Sequence, residues 1–318
     1  MIPKTDFNPN TIYKYGKQKT FKYPKTNIFF HEIDNLLIDN NKTITKKEGL
    51  YFPIRYNANY SLLLWDYVGA YFKIKEIYNN IVPIFFNFTN RNHDTKVWSN
   101  VPKDIVKFLN AEVIDIDKES FLFEKVVLIE GDVPPIPLGE YSSDLWRYSD
   151  LSEETILWWI TTAKEVVKNF KPQNILNKQN SYISRSKVNE RYKELKTDWH
   201  LARFQNSEYN ENLDKKISDL GFNVIDFLGM GLFEQIDCAY SSKTYASIHG
   251  SGLINALWCD DEVPILSFQI NSKYKQYNFD WKSILNAFNK DLTIINLDNL
   301  SPSDGADAIV NILKDFKK

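Results

Sequence analysis

Apolar residues along the chain follow two rhythms. Leu62, Leu63, Trp65, Val68, Tyr71, Phe72 and Ile74 recur at helical spacing and predict a helix over Tyr60–Ile77. Short apolar runs at Asn27–Glu32, Gly49–Ile54, Val82–Phe88, Ala111–Asp117 and Val126–Glu130 read as strands, with a turn-like Asp39–Lys42 between the first two. Val101–Leu109 reads as a helix. Ser152–Phe170 reads as another, with Ser152 as its cap, Glu154 in its first turn and Lys171–Asn174 as its stop. The polar, basic first 25 residues or so read as an irregular arm. Strands alternating with helices predict a parallel sheet covered on its faces.

The stretch from Lys171 through Asn180 reads as a linker, and the alternation then resumes. Strands are expected at Ser181–Ser184, Asn223–Phe227, Thr244–Ile248, Val263–Ile270 and Leu292–Leu297. Helices are expected at Glu208–Leu220 (closed by Gly221), Leu232–Tyr240, Gly252–Trp258, Trp281–Phe288 and Asp304–Phe316, the last capped by Ser301 or Ser303. Two such α/β units predict a cleft between doubly wound sheets, whose ligands sit beyond the carboxyl ends of the strands.

Composition narrows the class. A chain of 318 residues has room for two domains or one large one. Hydrophobic residues at 43% and charged residues at 25% exclude general disorder, and the net charge of −2 excludes a chain-wide basic field. Aromatics at 15% suit bulky cores and allow sugar or base platforms. Cys238 and Cys259, the only cysteines, form neither a disulfide framework nor a zinc spacing, so a reducing compartment is expected. With no apolar run of about 18 residues and no leader-like N-terminus, a soluble, cytoplasmic protein is expected.

Chemistry concentrates in the second half. His249-Gly250-Ser251-Gly252-Leu253-Ile254-Asn255 is a glycine turn between a predicted strand and a helix. Glycines let backbone amides approach a ligand, and a helix's first turn favours an anion, typically phosphate; an ordinary strand–helix turn is the alternative. The spacing is neither GxGxxG nor GxxxxGK[ST]. Arg185 and Lys187 follow the strand ending at Ser184, and Arg203 comes later; guanidinium groups suit a diphosphate, and a solvated basic loop is the plain alternative. Asp115-Ile116-Asp117 has the DxD form of a metal–diphosphate site, with a solvent-facing strand end as the preferred reading. Trp158-Trp159 reads as core, Asp260-Asp261-Glu262 as a loop acid run, and His31, His93 and His200 suggest no metal site.

The order of the pieces adds to this. Tyr182-Ile183-Ser184-Arg185, Arg203-Phe204-Gln205-Asn206, Leu220-Gly221-Phe222, Glu234-Gln235 and His249–Asn255 together resemble the nucleotide-binding half of glycosyltransferase family 61, whose pattern runs SR…R..N…L…GF…EQ…A…HGAGL.N. The resemblance covers about residues 181–270. Asn59-Tyr60-Ser61-Leu62-Leu63-Leu64-Trp65-Asp66 is similar to the family's NYYHFLFD helix start. The departures are Leu62 where the family usually has His, some 17 extra residues between Arg185 and Arg203, and Ser267 where it usually has Glu.

That resemblance implies a GT-B fold, two Rossmann-like domains facing across a cleft: an acceptor-side domain at 1–172, a nucleotide-sugar-binding domain at 173–300, and a C-terminal helix at 301–318 packing back on the first. It implies inverting transfer of a sugar, xylose or GlcNAc, from a UDP-sugar to an oligosaccharide, glycolipid or glycoprotein hydroxyl, with no metal and no cofactor beyond the donor. Ser184, Arg185, Lys187, Arg203, Glu234, His249, Gly250, Ser251, Gly252 and Asn255 would bind the donor, and Asp66 or His249 would be the base. A non-catalytic nucleotide- or sugar-binding module, or another α/β enzyme acting on a nucleotide-sugar, is the alternative.

Overall fold

A computed structural model describes residues 12–14, 16–24, 29–39, 41–55, 63–86, 100–115, 119–130, 153–187, 190, 207–269, 281–297 and 300–317. Contacts divide the chain into two units: residues 1–95 with 102–169, and residues 96–101 with 170–318.

The first unit is built on a seven-stranded mixed sheet. Its strands are β1 (Ile12–Lys14), β2 (Gln18–Lys22), β3 (Phe29–Asp39), β4 (Ile44–Arg55), β5 (Val82–Phe86), β6 (Glu112–Ile114) and β7 (Ser120–Glu130). Their order is β1-β3-β7-β4-β5-β6, with β2 also on β3. From β7 to β6 the pairing is parallel, as the alternation predicts, whereas β3 and β7 run antiparallel. The N-terminal arm is likewise not irregular throughout, because β1 and β2 both pair with β3. Phe29–Ile38 meets Phe121–Glu130 across some ninety residues of chain. Local alternation marks each strand as half-buried and carries no information about so distant a partner. Gly49, at φ 111, sits where the β4–β7 register shifts between Lys47 and Leu50, a bulge conformation that favours glycine.

One face of this sheet closes over Ile33, Leu36, Ile38, Tyr51, Ile84, Phe121, Phe123 and Val126. The helices are α1 (Ala70–Ile77), preceded without a break by the π-helical turn Leu63–Gly69, then α2 (Asn100–Leu109) and α3 (Glu153–Asn169). Trp158 and Trp159 are buried; the Trp158 ring lies 5.0 Å from Tyr23 and 5.9 Å from Phe30. Gly69 lets the π-helical turn approach α3, since a Cβ there would lie 2.6 Å from the Thr162 carbonyl oxygen.

The second unit carries a five-stranded, all-parallel sheet: β8 (Gln179–Ser184), β9 (Asn223–Asp226), β10 (Ser242–Ile248), β11 (Ile265–Gln269) and β12 (Leu292–Asn296), in the order β12-β11-β10-β8-β9. Between them run α4 (Ser207–Asp219), α5 (Leu232–Tyr240), a 3-10 helix (Ser251–Trp258) and α6 (Trp281–Asn286), and α7 (Pro302–Lys314) ends the fold. One face packs Tyr182, Ala246, Ile248, Leu266 and Phe268 against Leu213 and Ile217 of α4 and Ala306, Ile309 and Leu313 of α7. The alternate residues face the other layer, where the Tyr245 hydroxyl donates to the Gly252 carbonyl at 2.7 Å. Helices on both faces make this sheet doubly wound.

The C-terminal helix buries its apolar stripe in the second unit's own core. Ser301 is its cap, accepting the Asp304 N–H at 3.2 Å. Residues 171–178, expected as a linker, are strapped to the end of α5. The buried Asp237 carboxylate accepts the Gln173 and Asn174 N–H groups at 2.7 and 3.1 Å and the Asn174 amide at 2.8 Å, and the Ser241 hydroxyl accepts the Leu176 N–H at 3.1 Å. Among the described residues no helix is long and apolar enough to cross a membrane.

Candidate functional site

Numbered within its own sheet, the strand order of the second unit is 2-1-3-4-5. The chain leaves β8 toward β9 on one side and later returns to β10 on the other. The segments that follow β8 and β10 pack on opposite faces, α4 on one and the 3-10 helix on the other. Their connecting loops therefore diverge at the carboxyl ends, which is the topological switch point where open parallel sheets hold ligands. Ser184-Arg185-Ser186-Lys187 leaves one side of this point, and His249-Gly250-Ser251-Gly252 leaves the other.

The β10 turn has a demanding backbone. His249 extends the ladder by donating its N–H to the Phe268 carbonyl at 2.9 Å. Gly250 then adopts φ 152 and ψ −167, a region essentially closed to side chains, and its carbonyl accepts the Leu253 N–H at 2.9 Å to open the 3-10 helix. Gly252 is under less constraint, since a Cβ there would meet only Ile183 Cγ2 at 3.9 Å. The His249 ring is held at Nδ1, 2.8 Å from the hydroxyl of fully buried Ser267.

The β8 loop is pinned by acids. The hydroxyls of Ser184 and Ser186 both donate to Asp214 Oδ2, at 2.6 and 2.7 Å, the short range expected for a charged acceptor. Asp226, at the carboxyl end of β9, accepts the Lys187 N–H at 3.0 Å and the Leu228 N–H at 2.8 Å. Burial raises its pKa, against the opposing pull of those two N–H groups and of the Lys187 and Arg185 charges. Arg185 directly follows β8, and its charge acts on Asp226, while the Lys187 side chain is exposed.

Several residues expected to touch a donor make hydrogen bonds within the unit. Ser184 is buried on Asp214. Glu234 turns back to accept the Gly231 N–H at 2.7 Å, capping the first turn of α5. Asn255 is fully buried and donates to Gln235 Oε1 at 3.1 Å. Asp66 lies in the π-helical turn Leu63–Gly69, a geometry enriched at functional sites, but its side chain is outside the described residues. Arg203, Asp117 and the Ser251 side chain are outside them too. Among the described residues no group of three His, Cys, Asp or Glu side chains could hold a metal.

Ser186, Asp214 and Asp226 are absent from the residues expected at the site, and Ser267 appears there only as a departure from the usual Glu. Only Asp226 carries a local signal, an acid at a strand's carboxyl end. The others are brought together by packing. Burial raises the Cys238 thiol and pushes Cys259 up to about 12, so neither is a ready nucleophile.

No known protein family matches the chain, and no curated protein matches it either.

Proposed function

We propose that the second unit binds a nucleoside diphosphate sugar at this switch point and that the chain is an inverting glycosyltransferase of GT-B type, similar to family 61. The observation that carries the reading is the placement of Arg185 and the His249–Gly252 turn on the two sides of one topological switch point in a doubly wound sheet.

Arg185, joined by Arg203 and Lys187, supplies positive charge to the diphosphate. The amides of Ser251 and Gly252, opened toward the ligand by the Gly250 backbone, supply hydrogen-bond donors. In the transfer, the bond between the sugar's anomeric carbon and the phosphate oxygen breaks, and UDP leaves with the electron pair. The acceptor oxygen bonds the opposite face of that carbon, and its proton passes to a base, Asp66 or His249. Cationic and N–H groups stabilise the charge that grows on the departing diphosphate. Ser184, Glu234 and Asn255 each make a hydrogen bond within the unit, and Arg185 and the turn carry most of the expected donor affinity. UDP-xylose and UDP-GlcNAc are the donors this reading favours, with a glycan hydroxyl as acceptor.

The test is a thermal-shift panel of UDP, GDP, CMP and NAD, without metal and then with Mn²⁺. UDP alone should raise the melting temperature, and Arg185→Ala should abolish that rise while the unliganded variant still melts cooperatively. Stabilisation by NAD, or none by UDP, sinks the reading. Hydrolysis of a UDP-sugar separates an enzyme from a module that only binds.

A further inference from the structure

We infer that Ser267 is a positioning residue that holds His249 as the neutral tautomer protonated on Nε2, so that His249 serves the site as a hydrogen-bond donor and not as the base. The Ser267 hydroxyl is fully buried on central strand β11, and among the described residues its one side-chain hydrogen-bond partner is His249 Nδ1, at 2.8 Å. Ser247, level with Ser267 on β10, is not an alternative acceptor: its hydroxyl is buried and takes no hydrogen bond among the described residues.

A serine hydroxyl carries one proton, and a buried hydroxyl proton must be donated or its lost hydration goes uncompensated. Nδ1 is the acceptor on hand. If Nδ1 instead carried the ring proton and donated it to Ser267 Oγ, the serine proton would be left with nowhere to go. Nδ1 is therefore the lone-pair nitrogen, and a neutral ring must carry its proton on Nε2. The backbone adds rigidity, because the His249 N–H is fixed on Phe268.

Resting on the proposed function, this assigns His249 to an acceptor oxygen of the donor diphosphate or sugar, and it leaves Asp66 as the base. An N–H at Nε2 has no lone pair with which to accept the acceptor hydroxyl's proton.

The direct experiment needs no ligand. The chain contains four histidines, so ¹⁵N-histidine labelling of the full chain gives a readable spectrum, with His249 assigned by the loss of its signals in His249→Gln. In the unmodified protein, Nε2 should resonate as a protonated, pyrrole-type nitrogen and Nδ1 as a lone-pair, pyridine-type one. Ser267→Ala should mix the tautomers and Ser267→Thr should restore the bias. Protonation at Nδ1, or a pattern that Ser267→Ala leaves unchanged, overturns the inference. As a second readout, Ser267→Ala should weaken UDP binding by roughly 3- to 10-fold, the scale of one hydrogen bond, and should do nothing further in a His249→Ala background. Equal weakening in both backgrounds makes Ser267 merely structural and also overturns it. If the unmodified protein binds no UDP, the proposed function fails on its own, and the tautomer spectrum still decides the role of Ser267.

Discussion

The Asn255 side-chain amide donates to Gln235 Oε1 at 3.1 Å, joining the 3-10 helix after β10 to α5 inside the second unit. Both residues are fully buried, and Gln235 passes its own N–H on to the Met230 carbonyl at 3.3 Å. The Glu-Gln and His-Gly-Ser-Gly pieces of the motif are thus tied by one polar contact, which braces the glycine turn from behind.

Asn255→Leu should therefore cost about 1–3 kcal/mol, because it strands a buried Gln235 oxygen. Replacing both partners, Asn255→Leu with Gln235→Leu, should cost less than the sum of the single changes, since no half-satisfied pair remains. Urea unfolding of the four proteins in the cycle measures this coupling, and strict additivity contradicts it.

Glu234 yields a separation of stability from binding. Its carboxylate caps α5 through the Gly231 N–H. Glu234→Ala should lower stability by about 0.5–1 kcal/mol, the usual worth of such a cap, and leave UDP affinity within about twofold. A large loss of UDP affinity at unchanged stability would restore the ribose-contact role that the motif implies. Calorimetry and unfolding on the same sample decide between them.

Asp226 predicts a pH dependence of definite sign. Burial raises its folded pKa above the ordinary 3.8, so its protonated form is favoured by folding. That contribution to stability is complete below the unfolded value and is lost as pH rises through the higher folded value. Asp226→Asn removes this titration. The stability of the unmodified protein relative to Asp226→Asn should fall as pH rises from the ordinary 3.8 through the higher folded value, then level off. Urea midpoints across that range measure it. A difference that grows with pH reverses the sign and rejects the assignment.

Much of the second unit is legible locally. The strands Ser181–Ser184, Asn223–Phe227 and Thr244–Ile248, the helix Leu232–Tyr240 and the Ser301 cap are marked by apolar period, by glycine and by capping chemistry, all of which act within a few residues. The first unit is less legible, because its antiparallel β3–β7 pair and the two N-terminal strands depend on partners far along the chain. Ser267 stands out in the sequence only as a departure from the usual Glu, and its contact with His249 comes from the alignment of β10 and β11.

The amino-acid sequence alone determined the alternation of strands and helices in the second unit and the glycine turn after Ile248, since period and backbone freedom are short-range properties of the chain. Only the tertiary structure decided that β8 lies between β9 and β10, so that Arg185 and His249 follow the carboxyl ends of neighbouring strands. It also decided which internal partners Ser184, Glu234 and Asn255 meet. The reason is physical: which buried donor finds which acceptor is settled by packing between distant segments, where an unmet polar group costs more than any local preference can offset.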